Sequence, residues 1–319
     1  MVAKHNKIKV GIVGGSVNPE SWAIKSHLPA LINHDDYELI AVSTSNQESA
    51  INAKRILNIK YGYVNYDALI QNKEIDLVVV SVKAPLHYEI IKESIKNQKH
   101  VYSEWPLTNN INQAKELTNM ALNANIHHVI GLQSRQSSIL NQAKNIIKDG
   151  KLGAIFSVNM QVATQGKGKF TTNRTAYQFD PNNGATLLDI NGGHALDLLT
   201  FLLGDLNTIR VSSNDSFKNI YNVETNENDI QLTPNVWEII GKINDTVSVN
   251  VSILVKSSQD YTFRKVVVEN ENESLQGYFK SIYDKLSQDI KNCTHSLPDF
   301  SEGLKLQLLL QQIKAIQNK

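Results

Sequence analysis

Two α/β domains are what this sequence predicts, the first on a parallel sheet and the second on an open, mostly antiparallel one. Three observations predict them. Short apolar runs alternate with longer amphipathic ones through the first 134 residues, the signature of right-handed βαβ units. A glycine-bearing turn, Gly11-Ile12-Val13-Gly14-Gly15-Ser16, closes the first run. After about residue 150 the runs lengthen and alternate residue by residue, as strands with one exposed face do. The domains are assigned to residues 1–134 and 135–319, with the last helix able to pack back on the first domain.

The elements follow in order. Ile8–Val13, Leu39–Ser43, Leu77–Val82, His100–Ser103 and Val129–Leu132 are rich in Val and Ile and end in small or polar residues, as buried strands do. Asp76 stands at the entrance of a central one. Helical spacing of apolar residues predicts helices over Tyr88–Asn97, through Ile90, Ile91 and Ile95, and over Asn110–Asn125, through Ile111, Ala114, Leu117 and Ala121. A further helix over Ser138–Lys148 is capped by Gly150. Strands are expected at Ala154–Ala163, Thr208–Ser213, Val236–Ile243, Val247–Val255 and Thr262–Val268, with an apolar helix at Ala185–Leu203 between the first two. Asn214–Asp229, rich in Asn, Asp and Glu, is expected to be an exposed loop. Helices at Ser274–Asn292 and Ser301–Gln317 close the chain.

Composition narrows the function. A net charge of +1 over 319 residues offers no general basic surface for direct nucleic-acid binding. Cys293 is the only cysteine, which rules out an intrachain disulfide and a thiolate metal cluster. The first apolar run is too short for a signal-peptide core, and no stretch approaches the ~20 apolar residues of a membrane span. A cytoplasmic protein without membrane contact or resident metal is expected.

The turn after the first strand is where a pyrophosphate would rest on a helix N-terminus. Ser16 stands where the second glycine of the usual dinucleotide turn belongs, so two readings stay open: a dinucleotide site, and a plain strand–helix turn. Asn18 and Pro19 are expected to start the helix, with Ser16, Asn18 and Ser21 available to a phosphate. The second strand ends in Ser43, Thr44, Ser45 and Asn46, without the acidic residue that favours NAD. With Lys54 and Arg55 downstream, the cofactor expected is NADP or NAD, with a lean to NADP.

Five segments in order carry a resemblance: Val82-Lys83-Ala84-Pro85-Leu86-His87; Glu104-Trp105-Pro106-Leu107; Gly131-Leu132-Gln133-Ser134-Arg135 leading to Gly150-Lys151-Leu152-Gly153; Gly184 through Gly193-His194 to Asp197; and Pro298-Asp299-Phe300. Over nearly its whole length the chain resembles the glucose–fructose oxidoreductase / inositol dehydrogenase / MocA family. With Trp22 and His27 added, the likeness is to a branch that includes the yeast galactose-regulon repressor and bacterial relatives. The resemblance implies a Rossmann-type first domain, a nicotinamide dinucleotide, and a homodimer or higher homo-oligomer formed through the second domain's sheet. It implies two functions. One is NAD(P)-dependent oxidation of a secondary alcohol on a sugar or polyol. The other is a catalytically silent, dinucleotide-binding regulator with a protein partner.

It also implies residue roles. Gly11, Gly14, Gly15, Ser16, Trp22, Ser43, Thr44, Ser45, Val82, Lys83, His87, Glu104, Trp105 and Pro106 would bind the cofactor. Trp105 replaces the family's catalytic lysine and has no proton to exchange near neutral pH; it is expected to offer an aromatic platform instead. His194 would handle the substrate proton, against the plainer reading of a histidine bonded to a backbone carbonyl. Asp189 would support it, but lies five residues before His194 where the family has four. On a regular helix that puts the two about 140° apart, unless a bulge restores the alignment. Asp197 could orient the imidazole instead. Arg135 would hold substrate or cross-link the domains. Lys83 is a candidate substitute base, or else a solvated lysine or cofactor contact.

Overall fold

The computed structural model describes residues 7–164, 170–215, 219–230, 233–255 and 273–317. These contain, in order, β1 (Ile8–Val13), α1 (Trp22–Lys25), α2 (His27–Leu31), β2 (Tyr37–Ser43), α3 (Gln47–Leu57), β3 (Tyr61–Tyr63), α4 (Tyr66–Gln71), β4 (Leu77–Val80), α5 (His87–Lys96), β5 (His100–Glu104), α6 (Ile111–Asn123), β6 (His128–Gly131), α7 (Ser138–Lys148), β7 (Ser157–Thr164), β8 (Phe170–Thr171), α8 (Gly193–Leu203), β9 (Leu206–Asn214), β10 (Asn219–Asn222), β11 (Glu227–Ile230), β12 (Val236–Ile243), β13 (Val247–Val255), α9 (Leu275–Asn292) and α10 (Phe300–Gln317). They fall into two compact units. One comprises 1–108, 112–138 and 269–304, the other 109–111, 139–268 and 305–319. Thus 273–304, expected from the sequence in the second domain, group with the first.

The first unit holds six strands in the order β3-β2-β1-β4-β5-β6, all parallel. Its central strand β4, Leu77–Val80, is apolar and buried throughout because both faces of the sheet are covered there. Val10, Ile12, Leu77, Val79 and Tyr102 form one core with Leu28 and Leu31 of α2 and Phe279, Ile282, Tyr283 and Leu286 of α9. The α9 residues recur at i, i+3, i+4 and i+7, the stripe that turns one helix face inward. Chain order therefore reverses between β1, which pairs with β2 on one side, and β4 on the other. In open α/β sheets the ligand crevice lies at such a switch point, beyond the carboxyl ends of the strands.

The second unit has a four-stranded sheet, β7-β13-β12-β9. Two pairings are antiparallel and one, β7 with β13, is parallel. Trp237, Ile239 and Ile243 of β12 and Val249, Val251 and Ile253 of β13 face inward, as their alternation predicts. Gly150 does cap α7: at φ +68° it donates to Ile147 O while Lys151 donates to Ile146 O, the Schellman pattern. Asn214–Asp229 is not simply a loop. It carries the antiparallel pair β10–β11, with β8 alongside β10. The strand expected at Thr262–Val268 lies outside the described residues.

Candidate functional site

At the switch point the loop after β1 meets the loop after β4. Gly14 has φ +90°, and a Cβ there would stand 2.1 Å from Ser81 O and 2.9 Å from Val82 Cγ1. Only glycine allows this approach. Gly14 and Gly15 both donate to Ser43 O, at 2.9 and 3.2 Å, so the buried end of β2 anchors the turn. A Cβ on Gly15 would collide with Val42, and one on Gly11 with Leu69 and Ile75. Three of the predicted cofactor residues thus have packing duties of their own. Ser16 donates its N–H to Gly14 O and accepts from Asn18 N at Oγ.

The helix after this turn starts later than the sequence suggests. Asn18 accepts from Glu20 N, closing an Asx turn, and Ser21 is the N-cap residue before Trp22. Trp22 is partly exposed and packs edge-on against Phe279. The first-turn amides of α1 point out of the helix with no intrahelical acceptor, as in any helix N-terminus. With the strand order and the Gly14 approach, this fits a dinucleotide pyrophosphate. The ribose end is less basic than expected. Thr44 donates its hydroxyl to Asn46 O, and Asn46 caps α3 by accepting from Ser49 N. Ser45 is exposed. Lys54 and Arg55 lie in the last turn of α3, about 12 Å along the axis from Asn46, and Arg55 bonds Asn52. The structure does not place these cations at the end of β2.

Around the Glu104-Trp105-Pro106 loop the side chains turn inward. The Trp105–Pro106 bond is cis. Glu104 Oε1 lies 2.8 Å from Nε2 of the fully buried His27, whose Nδ1 contacts Tyr283 Oη at 2.8 Å. Glu104 therefore faces His27 of α2, which Tyr283 of α9 contacts at its other ring nitrogen. His87 is 1% exposed, so it does not line the crevice as expected. Its Nδ1 is 2.8 Å from Pro106 O and its Nε2 3.0 Å from Val82 O, tying together the loops after β4 and β5. Burial pushes this imidazole below its ordinary value, while the two carbonyls and Glu104 act the other way. Trp105 is 5% exposed, a covered wall rather than an open platform. Lys83 is exposed at the head of a short 3-10 turn, Ala84–Leu86. Arg135 pairs with Glu302 of α10 at 2.9 Å, within the first unit.

In the second unit the five-residue step has a structural answer. Leu188–Gly192 form a π-helical turn that runs directly into α8. Gly193 N–H reaches back to Leu188 O, five residues earlier. In a turn closed this way, the residue at i+5 takes the place that i+4 has in an α-helix. The bulge takes up one added residue between Asp189 and His194. Gly192 makes room for the turn against the sheet, since a Cβ there would lie 3.0 Å from Ile253 Cδ1.

Asp189 is 5% exposed, and both its oxygens are engaged. Oδ2 accepts from Thr186 N and, at 2.7 Å, from Thr186 Oγ1, while Asp189 N donates back to Thr186 Oγ1. Thr186-Leu187-Leu188-Asp189 is thus a reciprocal cap of the capping-box kind. Oδ1 pairs with Lys314 Nζ of α10 at 2.5 Å. His194 is half-buried two residues past the turn, and Asp197 is buried further along the same helix. The sequence reading missed Lys314 and Thr186. The Thr-x-x-Asp spacing was a readable sign of the cap, whereas nothing in α10 marks Lys314.

A family model described as an oxidoreductase family with an NAD-binding Rossmann fold matches residues 8–131. A model of the Gal80p C-terminal domain matches residues 138–268. A dehydrogenase of Aspergillus oryzae, aclE, is 31% identical over 246 residues, which cover 74% of this chain and 67% of the relative. The galactose/lactose metabolism regulatory protein GAL80 of Kluyveromyces lactis is 30% identical over 214 residues, 64% of this chain but 47% of the regulator. This chain therefore spans about half the length of that regulator. Among solved structures, a super-repressor mutant of Gal80p from Saccharomyces cerevisiae superposes with a TM-score of 0.87 at 18% identity, covering 98% of this chain and 97% of that one. Levoglucosan dehydrogenase in complex with NADH and levoglucosan gives 0.83 at 14%, covering 98% of each. At those identities the superpositions show the shared fold.

Proposed function

The chain belongs to the oxidoreductase family with an NAD-binding Rossmann fold, and on that premise we propose that it is an NAD(P)-dependent dehydrogenase acting on a secondary alcohol of a sugar or polyol-like molecule. The observation that carries this reading is the π turn. It takes up the added residue between Asp189 and His194, which supports reading the two as a pair that acts together. A bound oxidised dinucleotide supplies the hydride acceptor, so the alcohol carbon becomes a carbonyl and the hydroxyl proton passes to a base. His194 is that base: an imidazole is the side chain suited to take a proton near neutral pH. The β1 and β4 loops position the dinucleotide, and His87 holds the loop after β5 to the loop after β4. Nicotinamide absorbance at 340 nm, followed across a panel of sugars and polyols, tests the reading. Turnover lost in His194→Ala, with dinucleotide binding kept, is the expected result; no turnover on any member would overturn it.

A second reading has its own observation. Trp105 stands where the family has lysine, and an indole N–H donates but does not titrate near neutrality. A dinucleotide-sensing regulator without turnover fits this substitution, as does the likeness to the GAL80 regulator. A protein partner retained only when dinucleotide is present would favour it.

A further inference from the structure

We propose that Lys314 is a positioning residue for His194, acting through Asp189 and the π turn; this rests on reading that helix as the place of proton transfer. Three observations meet here. Lys314 Nζ is 2.5 Å from Asp189 Oδ1, and Asp189 is 5% exposed. Thr186 holds the other oxygen from the backbone side. Asp189 begins the five-residue step that ends at His194, and the π turn, Leu188–Gly192, takes up most of that step. Lys314 thus balances the charge of a carboxylate that stands within the turn leading to His194. The strands packed against the π turn, β7 and β13, contain no ionisable residue. The π turn and α8 carry Asp189 and Asp197, and α10 brings Lys314 to Asp189, while its Glu302 and Lys305 pair elsewhere, with Arg135 and Asp205. The family's lysine is absent at position 105, and a lysine from a different element balances the aspartate here. Lys314 does not touch reacting atoms in this scheme; its effect is relayed.

The sign of the electrostatics separates this role from a merely structural one. Removing Lys314 leaves a negative charge near His194, which favours the protonated imidazole; removing the Asp189 charge leaves a positive one, which disfavours it. Removing both restores near neutrality. The test uses the full chain with ring-13C histidine, the His194 signal being assigned from His194→Gln. Lys314→Met should move the pH midpoint of that signal upward and Asp189→Asn downward, each by about threefold or more in proton affinity. Lys314→Arg and the double variant should lie near the parent. If Lys314→Met unfolds, the Asp189→Asn and double variants still decide the matter, because the double variant removes the Lys314–Asp189 pair as a whole. Midpoints that do not move, or that all move the same way, overturn the proposal. The measurement needs no substrate, so failure of every alcohol in the turnover panel would count against the dehydrogenase reading alone.

Discussion

Gly14→Ala tests whether the β1 and β4 loops meet as tightly as the structure has them. The new methyl would stand 2.1 Å from Ser81 O at a φ of +90°. The left-handed backbone alone costs an L-residue roughly 1–2 kcal/mol. Forcing a carbonyl out of the way adds about 1–3 kcal/mol of overpacking, for a total of roughly 2–5 kcal/mol. In a unit of this size that lowers the melting temperature by roughly 5–15 °C. Gly150→Ala is the matched control. Its φ is +68° and a Cβ would meet nothing within 4 Å, so only the backbone cost of roughly 1–2 kcal/mol applies. Scanning calorimetry gives the stabilities, and titration calorimetry the dinucleotide affinity. Gly14→Ala should lose both, because displacing Ser81 and Val82 opens the switch point; Gly150→Ala should keep its affinity. Equal stability losses in the two variants, or undiminished dinucleotide binding in Gly14→Ala, would refute the reasoning.

Other consequences follow from single contacts. NAD should bind at least as tightly as NADP, since Lys54 and Arg55 sit at the far end of α3; tighter binding of NADP by calorimetry would contradict this. His100 should sensitise the fold to acid. Burial and the neighbouring His127 hold its imidazole down to about 4, and its Nδ1 accepts from His127 N at 3.0 Å, a bond that protonation forfeits. Because the folded value lies below the unfolded one, near 6.5, stability is lost as pH falls from about 6.5 toward 4. The loss is about 2–3 kcal/mol after allowing for the ring's partial exposure, and urea midpoints should fall less steeply over that window in His100→Asn than in the parent, the remainder coming from buried His87, His127 and His128. Ile240, 43% exposed on the outer face of β12, should matter to assembly. Ile240→Asp is expected to lower the mass measured by light scattering if copies associate through that sheet, and an unchanged oligomer would exclude this face.

The elements that could be read from the sequence are those whose periodicity runs long. Val236–Ile243 and Val247–Val255 alternate over eight and nine residues and form β12 and β13 with those limits. The Val- and Ile-rich runs of the parallel sheet needed no alternation, because burial on both faces leaves no polar side to see. β3 escaped because three residues carry no period. β10 and β11 escaped because their Asn- and Glu-rich composition resembles that of a loop, and pairing rather than burial makes them strands. At the site, the glycine turn and the five-residue step were visible, but their outcomes were not. Whether Asn18 or Ser21 caps the first helix depends on competing local turns. That Glu104 faces His27 depends on α2 and α9, whose residues lie tens to hundreds of positions away. Lys314 and Asp189 are 125 residues apart, a separation no local pattern reports.

Two departures from the family pattern, the missing lysine and the added residue, bear on whether chemistry was kept. An added residue in a helix can be absorbed as a π turn only at a cost in backbone geometry, which is why such bulges are rare and concentrate at functional sites. Here Gly192 clears the way past Ile253, Thr186 caps the start, and Lys314 balances the carboxylate. Drift after loss of function would more easily have deleted the residue or neutralised Asp189, since a buried carboxylate is tolerated only when it is paired. The lost lysine argues the other way only if proton transfer requires a second cation. A neutral imidazole can accept the hydroxyl proton alone, with a lower rate as the penalty. Slow hydride transfer that survives Trp105→Phe and vanishes in His194→Ala is therefore the outcome these substitutions predict. Equal residual rates in the two variants would instead assign the fold to dinucleotide sensing.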